Sequence, residues 1–119
     1  AFKTERNILL NPQGKNAAQD RATIRSITKF LTKHKKSITH SYPNWYRVAF
    51  AIANTFTHDI GEEYFLRLCR LDGIKHDEIQ SKNLLRYCYE TSKNEISFKT
   101  VVYLAREEGF KVLGGSEGG

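Results

Sequence analysis

The sequence predicts an all-α protein, a single compact bundle of about five helices. Apolar residues recur at helical spacing in five successive segments, and residues suited to caps and turns separate those segments. A chain of 119 residues is the size of one core, burying roughly two-thirds of the surface it exposes when unfolded. Its 39% hydrophobic and 27% charged content is that of a folding chain rather than a disordered one.

Residues 1–19 read as a lead-in segment or linker, because Asn11-Pro12 and Gly14 follow only a small apolar knot of Ile8, Leu9 and Leu10. The helical domain is expected over residues 20–113. Its first helix runs from Asp20 to about Lys36, with Ile24, Ile27 and Leu31 on one face and Ile38 following after a drift. Arg21, Arg25, Lys29 and Lys33 recur every four residues, largely opposite that face. The second helix begins around Pro43 or Asn44, proline being preorganised for a first turn and Asn44 able to cap the residues after it. Trp45, Val48, Ala49, Ile52 and Phe56 form a stripe that Phe50, Ala51 and Ala53 widen around most of the cylinder, which places this helix in the middle. Trp45 lies on the stripe, so a core anchor is a stronger reading for it than a base-stacking platform.

Gly61 opens a shorter third helix with Tyr64, Phe65, Leu68, Cys69 and Leu71 inward, closing near Asp72-Gly73. Asp77 caps a fourth whose buried side carries Ile79, Leu84, Leu85, Tyr87, Cys88 and Tyr89, with Lys82 and Arg86 facing solvent. After a polar turn at residues 92–95, Ser97 caps a fifth with Phe98, Val101, Val102 and Ala105 on one face. Gly109 suits the left-handed position after that helix and Phe110 the apolar contact beyond it. Residues 114–119, Gly-Gly-Ser-Glu-Gly-Gly, form a flexible tail.

Charge is distributed unevenly. The net charge is +6 and the isoelectric point near 9.4, yet residues 1–58 hold ten Lys/Arg against two acids while residues 59–119 hold nine against eleven. No carboxylate occurs from Arg21 to His58, so local pairing leaves seven cations unneutralised and a polyanion could engage them. The candidate nucleic-acid-binding residues are Arg21, Arg25, Lys29, Lys33, Lys35, Lys36, Arg47, Arg70 and Lys99. Arg47 points off the apolar stripe, and Glu62 and Glu63 lie too far back to pair with Arg70 along a helix. Arg67 follows Glu63 by four residues and is expected to pair with it instead.

Enzyme signatures are missing from the sequence. Gly14-Lys15-Asn16 lacks the leading glycine and the Ser/Thr of a P-loop, and neither G-x-S-x-G nor H-E-x-x-H occurs. Cys69 and Cys88 lie apart in amphipathic segments and read as core thiols of a reduced, cytoplasmic protein. His40, His58-Asp59 and His76-Asp77 could be imagined as ligands of a metal-dependent phosphohydrolase, but nothing in their spacing forces convergence. No catalytic residue, cofactor or metal is assigned, and no apolar run reaches the roughly 18 residues of a membrane span. The start at Ala1 and the absence of methionine suggest a processed chain or part of a longer one.

From Ser41 onward the order of residues resembles a known family. Tyr42-Pro-Asn-Trp45-Tyr-Arg-Val-Ala-Phe-Ala51, a Gly61-Glu-Glu-Tyr-Phe helix, and Ser97-Phe-Lys-Thr100-Val-Val-Tyr-Leu-Ala105-Arg-Glu-Glu-Gly109-Phe110 look like the primase C-terminal helical domain. The likeness covers roughly 70 residues and consists mostly of core positions; the fourth helix has Tyr87 or Tyr89 where the commoner pattern has tryptophan. It implies an all-α accessory domain of primase or primase-helicase proteins of mobile elements, one that helps engage template DNA, and in some relatives nucleotide, while a separate catalytic domain polymerises. The absence of an Asp-x-Asp pair here agrees with a non-catalytic module. The expected function is therefore a DNA-binding accessory domain with single-stranded template as partner, beside a catalytic primase or helicase domain. Two alternatives are a helix-turn-helix reader using Lys99, Tyr103 and Arg106, opposed by Glu107 and Glu108, and a module that docks a helicase or primase partner through exposed aromatic residues.

Overall fold

The computed structural model describes residues 15–91 and 96–111, and within them the chain forms five α-helices. These are α1 (Ala18–His34), α2 (Tyr42–Thr55), α3 (His58–Cys69), α4 (Glu78–Thr91) and α5 (Phe98–Glu107), with a 3₁₀ segment, Arg70–Lys75, between α3 and α4. The fold is the expected all-α bundle. Most of the lead-in, the turn at 92–95 and the Gly-rich tail lie outside the described residues.

Helix α2 is central because six consecutive residues, Val48 to Ala53, are buried, so it needs neighbours on nearly every side. It packs against α3, α4 and α5, and α1 closes the bundle over α3 and α5. Ile24, Ile27 and Leu31 of α1 are fully buried on its inner face, which turns the Arg25, Lys29 and Lys33 ladder outward.

Several boundaries differ from the sequence expectation. Ser41, not Asn44, caps α2: its Oγ accepts the Asn44 N–H at 3.3 Å, and Pro43 falls in the first turn. Helix α3 starts at His58 rather than Gly61. Gly61 is glycine because of a close approach: a Cβ there would lie 2.2 Å from the Tyr89 hydroxyl and 3.0 Å from Ile52 Cγ2. Tyr89 cannot retreat freely, since its hydroxyl donates to the Phe56 and Thr57 carbonyls at 2.6 and 2.9 Å.

The buried face of α4 is Ser81, Leu85, Cys88 and Tyr89. Ile79 and Tyr87, expected inside, are instead 71% and 50% exposed. Position 79 precedes Ser81 by two residues, a rotation of about 200° on a helix, so the two cannot share a face. Ser81 holds the inward place because its Oγ accepts the Trp45 indole N–H at 3.3 Å. Asp77 does cap α4, its Oδ1 accepting the Gln80 N–H at 3.0 Å.

Helix α5 begins and ends as its sequence indicates. Ser97 Oγ accepts the Lys99 N–H at 3.3 Å, and Gly109 has φ of 103°. The Phe110 and Gly109 N–H groups donate to Ala105 and Arg106 carbonyls at 3.0 and 2.9 Å, the paired bonds of a Schellman motif. Phe110 then turns back onto Phe30, ring centroids 5.7 Å apart.

Lys15 and Asn16, within the segment read as a lead-in, are bound to the bundle. Asn16, at φ of 65°, exchanges side-chain hydrogen bonds with Thr57 at 2.9 and 3.0 Å. The Lys15 ammonium donates to the Ala53 carbonyl and lies 5.1 Å from the Tyr89 ring centroid; burial lowers its pKa. Both cysteines are free and buried, and burial pushes each thiol up to about 12.

Candidate nucleic-acid interface

Helix α1 places Arg25, Lys29 and Lys33 one turn apart on its exposed face. The last turn of α3 and the 3₁₀ segment bring Arg67, Arg70 and Leu71 opposite them, and with Thr28 and Thr32 these residues line one groove of about 780 Å³. Five cations from three elements thus border a cleft that contains no acid in its lining. Lys29 and Lys33 also border a second groove on the other side of α1, with Phe30, His34, Phe110 and Lys111.

Two of the five cations are held by carboxylates outside the lining. Arg67 Nη2 meets Glu63 Oε2 at 2.8 Å, the pairing expected from its spacing. Arg70 grips Glu78 with two parallel bonds, Nε to Oε1 at 3.1 Å and Nη2 to Oε2 at 2.8 Å. The Arg70 hydrogen bonds, joined by one from His76, hold the Glu78 carboxyl down to about 2. Glu78 reaches Arg70 across the 3₁₀ segment, eight residues away, which inspection of one helix for i−4 partners could not reveal.

The other candidates are dispersed. Arg21 and Lys35 are exposed near opposite ends of α1, and Lys35 is its left-handed C-cap at φ of 55°. Lys36 Nζ stands 3.9 Å from Glu108. Arg47 lies on α2 beside Tyr42, Pro43, Tyr46 and Ile96, and Lys99 is exposed in the first turn of α5. Of the nine cations chosen from sequence, Arg25, Lys29, Lys33 and Arg70 share the groove, and Arg67, set aside as an intrahelical partner, joins them.

Aromatic side chains form a row next to Arg47. Ring centroids are 6.2 Å apart for Tyr42–Tyr46, 4.8 Å for Tyr46–Phe50 and 6.2 Å for Phe50–Tyr87. Tyr42 also touches Trp45, at 5.7 Å, and both line a small polar cavity between the starts of α2 and α4. His40, Asp72, His76, Asp77, Gln80 and Ser81 complete most of its wall. Nothing in the spacing of His40 and His76-Asp77 forces them together; the packing of α2 against α4 brings them to one cavity. His58 stands apart, its ring 5.1 Å from that of Tyr89. Among the described residues no cluster of three or more His, Cys, Asp or Glu is arranged to hold a metal ion.

On α5, Lys99, Tyr103 and Arg106 are exposed, and Glu107 accepts a hydrogen bond from the Tyr103 hydroxyl, raising its pKa. No described helix is long and apolar enough to cross a membrane. Set against protein-family models, curated proteins and solved structures, the chain matches none of them.

Proposed function

We propose that this chain is a non-catalytic helical module of a primase-like replication protein, and that it holds single-stranded template DNA along the groove between α1 and the end of α3. The observation that carries this reading is the convergence of Arg25, Lys29 and Lys33 with Arg67 and Arg70 on one cleft. Phosphates supply most of the affinity in such binding, and the protein need only space its cations along the strand. The ion pairs of Arg67 and Arg70 are half-exposed; exposed pairs contribute little, so a phosphate can compete for those guanidinium groups. The primase context rests on the run of residues from Tyr42-Pro-Asn-Trp45 to Gly109-Phe110.

Titrating salt against affinity for a single-stranded oligonucleotide tests the reading. Four phosphate contacts give a slope of log K on log salt of roughly −3. The triple change Arg25→Gln, Lys29→Gln, Lys33→Gln should reduce that slope by about 2 and weaken binding at least tenfold while leaving the helical circular dichroism unchanged. Affinity equal to the parent protein would move the site elsewhere, and a salt-independent interaction would remove the electrostatic basis. A strong preference for duplex would favour the α5 surface instead.

A second reading, docking on a helicase or primase partner, is favoured by Ile79 and Tyr87, which are 71% and 50% exposed on α4. A complex with such a partner that survives nuclease and high salt, and that Tyr87→Ala weakens, would support it.

A further inference from the structure

We propose that the polar cavity walled by Tyr42, Trp45, His40, His76, Asp77 and Gln80 is a pocket for one unstacked nucleobase. This deepens the proposed function, because it adds base contact to a strand held by its phosphates. The cavity volume is about 140 Å³. A single bound water requires roughly 10–15 Å³, so the cavity admits a group well above that size.

Its chemistry suits a flat, neutral, hydrogen-bonding ring better than a phosphate. Tyr42 is 68% exposed and touches Trp45, so one wall is aromatic and open to stacking. Asp72 and Asp77 stand in the lining and would repel an anion. Asp72 already accepts hydroxyl hydrogen bonds from Ser37 and Thr39, one on each oxygen, which leaves it poorly placed to bind a cation. His76 Nδ1 is buried with no hydrogen-bond partner, although Nε2 of the same ring is 3.0 Å from Glu78 Oε1. The Gln80 amide, donor and acceptor at once, can read the edge of a base.

Position ties the cavity to the groove. Arg70 and Leu71 line the groove, and Asp72, the next residue, lines the cavity. The Arg70–Glu78–His76 chain of contacts runs along the same boundary. On the far side Tyr42 belongs both to the cavity and to the surface carrying Tyr46 and Arg47. The groove and the cavity are thus lined by successive residues of one segment, Arg70 to Asp72, and the cavity shares Tyr42 with the Arg47 surface.

Trp45 is the single tryptophan of the chain, so its fluorescence reports the cavity directly. The probes are adenosine, guanosine, cytidine and thymidine, their 5′-triphosphates, and a single-stranded oligonucleotide with or without abasic positions. At least one nucleoside should perturb Trp45 saturably and with little dependence on salt. The double change Tyr42→Ala, Gln80→Ala, at two exposed positions, should weaken that response by about 5- to 150-fold, the range for loss of stacking on one base. Abasic substitution should weaken strand binding to the parent protein by a similar factor and leave the double variant unaffected. A triphosphate that binds far more tightly than its nucleoside would identify free nucleotide as the source of the base; equal binding would identify the strand. Salt-dependent strand binding with Trp45 silent to every nucleoside would overturn the pocket and leave the groove standing. A saturable nucleoside response without strand binding would overturn the groove and leave the pocket standing.

Discussion

Gly61 shows how one residue can be legible for the wrong reason. From sequence it is a helix opener, but it sits inside the first turns of α3, where a Cβ would overlap the Tyr89 hydroxyl at 2.2 Å. Moving Tyr89 would strip the Phe56 and Thr57 carbonyls of their donor. Gly61→Ala should therefore destabilise the protein by about 1–3 kcal/mol, as overpacking does, despite alanine's better helix propensity. Chemical denaturation of the two proteins measures it; equal midpoints and slopes would show that Tyr89 has room to shift. Cys69 and Cys88 are the converse case, read as core thiols and found buried. With both thiols pushed up to about 12, only about one molecule in 10⁵ carries a given thiolate at neutral pH. Labelling by a thiol reagent at neutral pH should accordingly track unfolding, accelerating in denaturant in step with loss of helix; rapid labelling of the native protein would contradict their burial.

At the scale of elements, α5 was readable from end to end because each of its signals is local. Ser97, Gly109 and the Phe110 N–H act through hydrogen bonds close to their own positions, while the Phe110 ring packs on Phe30 of α1. Ser97→Ala should lower stability by about 1 kcal/mol, visible as a fall in Tm of several degrees; no change would mean the cap bond contributes nothing. Helix α4 was readable in its Asp77 cap but not in its facing. Ile79 and Tyr87 are apolar, yet the inward stripe passes through Ser81, whose burial depends on the Trp45 indole of another helix. The start of α3 escaped for a related reason. Its first turn is held by Thr57, which donates to Asp59 at 2.6 Å and is itself bound by Asn16, forty-one residues earlier.

Across the whole molecule, the link between α3 and α4 is electrostatic as well as apolar. Glu78 joins Arg70 and His76, and its carboxyl is held down to about 2 against an ordinary 4.5. A carboxylate depressed on folding adds stability above its unfolded value and loses it as pH falls through the folded one. The protein should therefore be more stable than its Glu78→Gln variant near neutral pH, with the difference shrinking between pH 4.5 and about 2. Thermal melts of both proteins across that window check it; a gap independent of pH would assign the effect to packing.

The order of residues alone settles the all-α class, the central place of α2, the caps of α4 and α5, and a basic first helix, since these follow from periodicity and from contacts within a turn or two. Helix packing settles which cations share a groove, that Arg70 belongs to Glu78, and that His40, Trp45 and Gln80 wall one cavity. Those relations join residues on different helices, and their distances are set by how the helices pack, a quantity that no spacing along the chain encodes.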